Sequence, residues 1–217
     1  MRARRNAIAF QETGEGKYTM PRAGQVFENP VTGERMVFNA TAHETNGMVL
    51  DIEFYVQPNV CKGLAAHFHP YFSERVEIIA GAAHYKVGRD ELAAKAGDGV
   101  ILPRHAAHIH PWNVGDGVLH WRKTTQLEKP GMRLLIDSAA FFESLYALAQ
   151  QRKVRANGLP KNPLQTIVLL RALQPSSYVA GLPIWLQRPL FGALADLGRA
   201  LGYKAYYPAV STSLGQD

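Results

Sequence analysis

The sequence predicts a mainly β protein, a small sandwich or barrel, followed by a C-terminal α-helical extension. Three features carry that expectation. Met48, Leu50, Ile52, Phe54 and Val56 alternate with Val49, Asp51, Glu53 and Tyr55, the period of two that lets one face of a strand pack on a core. Asn29-Pro30-Val31-Thr32-Gly33, Gly88-Arg89-Asp90, Gly97-Asp98-Gly99 and Gly115-Asp116-Gly117 interrupt such runs with residues that turns require. From about residue 137 the apolar period changes from two to between three and four.

These breaks divide the chain into an N-terminal arm (1–23), a β body (24–136) and a helical extension (137–217). In the extension, Asp137-Ser138 reads as a cap for a helix carrying Phe141, Phe142, Leu145, Tyr146 and Leu148, ending near Asn157-Gly158. Asn162 followed by Pro163 caps a second helix over Leu164 to Leu173. A third begins at Pro183, with Leu186, Leu190, Leu194, Leu197 and Leu201 in one stripe that is expected to be buried. Pro189 is expected to bend that helix or restart it.

With 217 residues, 47% hydrophobic and 19% charged, the chain can bury a proper core, which excludes disorder and short disulfide scaffolds. A single cysteine, Cys61, excludes an internal disulfide and a zinc site of several thiolates. The apolar stretch after Met1 to Arg5 stops at Phe10, too short for a secretion signal, and no run of 18 apolar residues occurs. A soluble, cytoplasmic protein is expected. The net charge of +6 invites a nucleic-acid reading, but residues 138–217 hold eight Lys/Arg against three Asp/Glu and residues 1–137 hold sixteen against fifteen. The body is nearly neutral and shows no nucleic-acid-binding signature, so no nucleic-acid partner is expected.

All eight histidines lie between His43 and His120. In a strand, His67 and His69 project to one face and can meet one metal ion. Glu74, brought back by a turn through Pro70 and Phe72, shares a face with Val76 and Ile78, where a lone carboxylate is costly unless paired or bound to a cation. His108 and His110 likewise project together, and either can supply a third imidazole. His43, His84, His105 and His120 read as surface or hydrogen-bonded residues, although His84 and His120 lie on expected strands.

The segment His67-x-His69, four residues, Glu74, six residues, Gly81, followed by Gly97, five residues, Pro103 and then His108, resembles the two motifs of the cupin superfamily over residues 24–136. The resemblance departs at three points: His105 stands where the second motif has glycine, Asn113 follows His108 one residue late, and Gly63 lies nearer His67 than the first motif asks. It implies a double-stranded β-helix, the cupin jelly-roll barrel, with one metal held by His67, His69, Glu74 and His108, and Glu74 as catalytic carboxylate. Three imidazoles and a carboxylate suit one divalent ion of Fe, Mn, Ni, Zn or Cu and leave sites for water or substrate.

Substrate-pocket candidates by strand parity are Phe54, Tyr85, His110, Trp112, His120 and Arg122. The leading functional expectation is a dioxygenase-like oxidoreductase acting on a small organic molecule. The alternatives are a cupin that binds or senses a small molecule without turnover, and a metal-dependent isomerase or lyase. Barrel edges and the leucine stripe favour a homodimer; membrane contact through the C-terminal helix is the lesser reading.

Overall fold

The computed structural model describes residues 20–59 and 65–213. The N-terminal arm apart from residues 20–23, with Cys61 and Gly63, lies outside the described residues. The strands are β1 (Gln25–Glu28), β2 (Arg35–Ala40), β3 (Val49–Val56), β4 (His67–Phe68), β5 (Glu74–Ala80), β6 (Ala82–Val87), β7 (Asp90–Lys95), β8 (Gly99–Leu102), β9 (His108–Asn113) and β10 (Leu119–Gln126). There follow α1 (Met132–Gln150), α2 (Pro163–Leu173), β11 (Tyr178–Val179), α3 (Ile184–Ala200) and β12 (Ser211–Ser213).

Two antiparallel sheets, ordered β12-β1-β2-β3-β10-β5-β8 and β11-β4-β9-β6-β7, share one apolar core. Leu50, Ile52, Phe54 and Val56 of β3 enter it, as do Val76 and Ile78 of β5 and Leu119 and Trp121 of β10. This is the double-stranded β-helix. Gly81 joins β5 to β6 at φ +88°, where a Cβ would lie 3.1 Å from the Leu119 backbone, so glycine answers both the conformation and the close approach of β10.

The extension is woven into both sheets: β12 pairs with β1 and β11 pairs with β4. Its first helix starts at Met132, five residues before the Asp137-Ser138 cap read from the sequence. Pro130-Gly131 leads into the helix, and the Gly131 N–H donates to Gly47 O at 2.9 Å. Asp137 is instead a buried mid-helix residue paired one turn back with Arg133. The helix also stops at Gln150, short of Asn157-Gly158. Helix α2 is capped as expected, Asn162 Oδ1 accepting from Leu164 N at 2.9 Å with Pro163 in the first turn.

Most of the leucine stripe of α3 faces outward, against expectation, with Leu186 and Leu194 half-buried. Leu190, Leu197 and Leu201 are 41%, 50% and 62% exposed, and the buried positions are Gln187, Ala195 and Gly198. A Cβ on Gly198 would sit 2.6 Å from Val168 Cγ2 of α2, so small residues set this contact and turn the leucines away. Pro189 lies within the helix, which continues through it without a new start. Gln187 ties the helix to β11: its Oε1 accepts from Val179 N, and its Nε2 donates to Val179 O and Leu182 O.

Beyond α3 the chain returns across α1, where Glu143 accepts from Ala209 N and from the Tyr206 hydroxyl, both at 3.1 Å. Burial pushes the Glu143 carboxyl up to about 7, against the opposing pull of these two donors. The folded protein thus holds this proton more tightly than the unfolded chain. The contribution is complete below the ordinary carboxylate value of 4.5 and is lost as pH rises through about 7. At about 1.4 kcal/mol per unit, Glu143→Gln is expected to gain about 3 kcal/mol on the wild type between acid and neutral pH. Chemical denaturation of both proteins across this range checks it; parallel stability curves would count against the assignment.

Candidate metal centre

Five side chains converge between the sheets. The ligand atoms of His67, His69, Glu74, His108 and His110 all lie within 4.8 Å of one another. Strands β4 and β9, paired at His67 and His108, present three of the imidazoles, His69 follows directly after β4, and β5 brings Glu74 from the facing sheet. Pro103 and His105 shape the turn into β9. His105 has φ +63°, so it holds the left-handed conformation suited to the motif glycine, and its N–H donates to His69 O at 2.9 Å.

Backbone carbonyls orient three of the rings. Nδ1 of His67, His69 and His108 lies 3.0, 2.9 and 3.0 Å from Ala65 O, Ser176 O and Ala106 O. A carbonyl only accepts, so each Nδ1 carries the hydrogen and each Nε2 offers a lone pair to the cluster. Nε2 of His69 and of His108 is buried with no hydrogen-bond partner, 3.4 and 3.7 Å from Glu74 oxygens. Buried polar atoms without partners are costly, and a cation at the point they share would satisfy both. The donor set and its orientation therefore fit a divalent metal.

His110 differs. Its Nε2 lies 2.6 Å from Glu74 Oε2, so this nitrogen donates to the carboxylate and presents no lone pair there. Lys123 Nζ approaches Glu74 Oε1 at 2.7 Å and lies over the Phe142 ring. Burial acts to raise the Glu74 carboxyl, but the Lys123 ammonium, with His69 and His110, outweighs it and holds the group well below its ordinary value. Burial, reinforced by the neighbouring imidazoles, keeps His67 well below the usual histidine range, and burial lowers His110 to about 4 against the pull of Glu74. Near neutral pH the carboxylate is charged and the His67 ring is neutral, the forms that bind cations.

Above the cluster lies a cavity of about 90 Å³, several times the roughly 10–15 Å³ that one water needs. His67, His69, His110 and Lys123 form its polar floor. Phe141, Phe142 and Leu145 of α1, Leu169, Leu170 and Leu173 of α2, Phe191 of α3 and Tyr178 of β11 form apolar walls. The helical extension is thus the roof of the site.

The pocket candidates from strand parity divide. His110 lines the cavity. Phe54 stands in a packed layer with Trp121 and Phe142, beside His110 in a second cleft. Tyr85 is half-buried against the core and lines neither space. His120 and Arg122 face outward, His120 on Glu53 and stacked on Tyr55, Arg122 on Asp51. The apolar Leu119 and Trp121 fix the register of β10, so Lys123 and Thr125 of the same parity point inward. That L-x-W-x-K-x-T pattern was the signal for Lys123.

Trp112 is turned off the cavity face by a bulge. Ile109 pairs with Lys86 but Trp112 with His84, so β9 carries one extra residue at His110-Pro111, where proline cannot donate to the ladder. The same extra residue accounts for the late Asn113, whose side chain binds Val56 O, Gly117 O and Gly115 N. His84 pairs with Glu91 on the outer surface.

Compared with known proteins, the sequence matches no family model and no curated protein. Among solved structures, a variant of oxalate decarboxylase from Bacillus subtilis is similar at 19% identity and TM-score 0.38, over 45% of this chain and 27% of its own. A protein described as a predicted oxalate decarboxylase from Thermotoga maritima is similar at 18% identity and TM-score 0.39, over 43% of this chain and 80% of its own. The match thus spans little more than a quarter of the Bacillus chain. Strand order, rather than these likenesses, defines the fold as a double-stranded β-helix, the architecture that the two sequence motifs implied.

Proposed function

We propose that the protein is a metal-dependent oxidoreductase, dioxygenase-like, acting on a small and largely apolar organic molecule. His67, His69, Glu74 and His108 are the residues that would hold one divalent ion of Fe, Mn, Ni, Zn or Cu, with His110 kept as the hydrogen-bond partner of Glu74. The observation that carries this reading is the pair of buried, partnerless Nε2 atoms facing one carboxylate. Such an ion, when bound, polarises an oxygen of the substrate and, if redox-active, brings dioxygen and an electron-rich substrate together.

The chain supplies the rest. The Lys123 ammonium keeps Glu74 charged and fixes one of its oxygens. The proton on His110 Nε2 lies within transfer distance of Glu74 Oε2, which makes this carboxylate the candidate for moving a substrate proton. The phenylalanines and leucines of the roof exclude water and favour a substrate whose body is carbon. A dianionic substrate would meet apolar walls and one ammonium already committed to Glu74, which supports oxygenation of an enol- or phenol-like molecule over decarboxylation of a small diacid.

The test begins with metal analysis of untagged protein. Metal-loaded enzyme is then given phenols, diketones and sugar acids while dioxygen uptake and product are followed. Uptake that depends on metal and fails in His69→Ala is expected. Full activity without metal sinks the proposal, conversion without oxygen uptake replaces it with an isomerase or lyase, and binding without conversion replaces it with a sensor.

A further inference from the structure

The outer face of α3 is largely exposed. Trp185 is 75% exposed, and Leu190, Leu197 and Leu201 continue the same face together with the exposed Pro189, Ala193 and Ala200. Asp196 is the one acidic residue there, and it pairs with Arg199. Arg188 and Arg199, eleven residues and about three turns apart, form a basic line along one edge of the apolar face. Arg188 Nε donates to the Tyr178 hydroxyl at 3.0 Å.

Two observations decide what covers this face. Seventeen residues make a helix about 25 Å long, and one face of one such helix falls short of the roughly 800 Å² of accessible surface that each partner of a stable dimer buries. The charge of the helix is weakly positive, Arg188 and Arg199 against Asp196, and a second copy would bring the same positive edge. An anionic lipid surface complements both features: leucines and tryptophan enter the acyl boundary, and arginines reach phosphates.

We propose that α3 docks the protein on anionic membranes, with Trp185, Leu190, Leu197 and Leu201 inserted and Arg188 and Arg199 at the headgroups. No described helix is long and apolar enough to cross a membrane, so the contact is peripheral. Phe191 and Gln187 line the cavity from the inner side of the same helix. Docking therefore sets the cavity roof at the lipid boundary and gives access to substrates that partition into lipid, a consequence that rests on the functional reading above.

Trp112 and Trp121 are buried, so a change in tryptophan emission on vesicle addition reports Trp185. The full chain, with and without added metal, is mixed with vesicles of phosphatidylcholine alone or with phosphatidylglycerol, then followed by fluorescence and flotation. A blue shift and flotation with the anionic vesicles are expected, with affinity falling about tenfold or more in the Leu197→Ser/Leu201→Ser variant. Circular dichroism checks that the variant is folded. Absence of binding, equal binding to neutral vesicles, or equal binding by the variant overturns the proposal. A dimer in light scattering that the same substitutions dissociate overturns it too, by naming a second copy as the occupant. Vesicle binding needs no turnover, so its failure leaves the catalytic reading standing, and the reverse.

Discussion

Glu74→Gln is expected to abolish metal retention and to lower the melting temperature of the metal-free protein by roughly 6–12 °C, about 3 kcal/mol for a chain of this size. The second effect does not come from the metal. Lys123 is 2% exposed and pairs with Glu74 at 2.7 Å, so removing the carboxylate leaves an ammonium buried against Phe142. The Glu74→Gln/Lys123→Met variant removes both charges and is expected to recover most of the lost stability while remaining unable to hold metal. Metal content after dialysis and melting curves of the three proteins separate the two roles. Stoichiometric metal in the single variant would remove Glu74 from the ligand set. A double variant no more stable than the single one would show that the buried pair is not the source of the loss.

Gln187→Leu is expected to cost about 3 kcal/mol, because Leu cannot replace its bonds to Val179 N, Val179 O and Leu182 O, and each buried group left unpaired costs about 1 kcal/mol or more. Gln187 is fully buried and pairs with Val179 as a neighbouring strand would, using one side chain to close the free edge of β11. Its loss is expected to loosen α3 and the cavity roof before the barrel. Amide exchange should therefore quicken at Val179 and along α3 while the amides of β3 and β10 keep their protection. Uniform exchange throughout the protein, or an unchanged melting temperature, would show that the side chain does not anchor the roof.

Much of the barrel and the cluster was legible because β-structure writes itself with a period of two. The Leu50-to-Val56 alternation, the His67/His69 pair and the Glu74/Val76/Ile78 face all follow from parity alone. Parity misled where the ladder itself is irregular. The bulge at His110-Pro111 moves Trp112 to the other face, and no local property of Trp112 announces it. On β10, the polar His120 and Arg122 suggested a site, but Leu119 and Trp121 decide the register, and Lys123 follows them inward. The roof was illegible for another reason. The apolar period of α3 identifies a helix, whereas the side that packs is chosen by Gly198 against Val168, a close contact between residues thirty positions apart.

Ser176 lies in the tail, between α2 and β11, yet its carbonyl orients the ring of His69. The tail also supplies the last strand on one edge of each sheet. A barrel taken alone would keep its four motif residues and lose the acceptor that sets one of them, together with two sheet partners. Grafting this tail onto another barrel, or this barrel onto another tail, would carry over a motif without the geometry that gives it meaning. The unit that recombination or design can move intact therefore runs from β1 to β12.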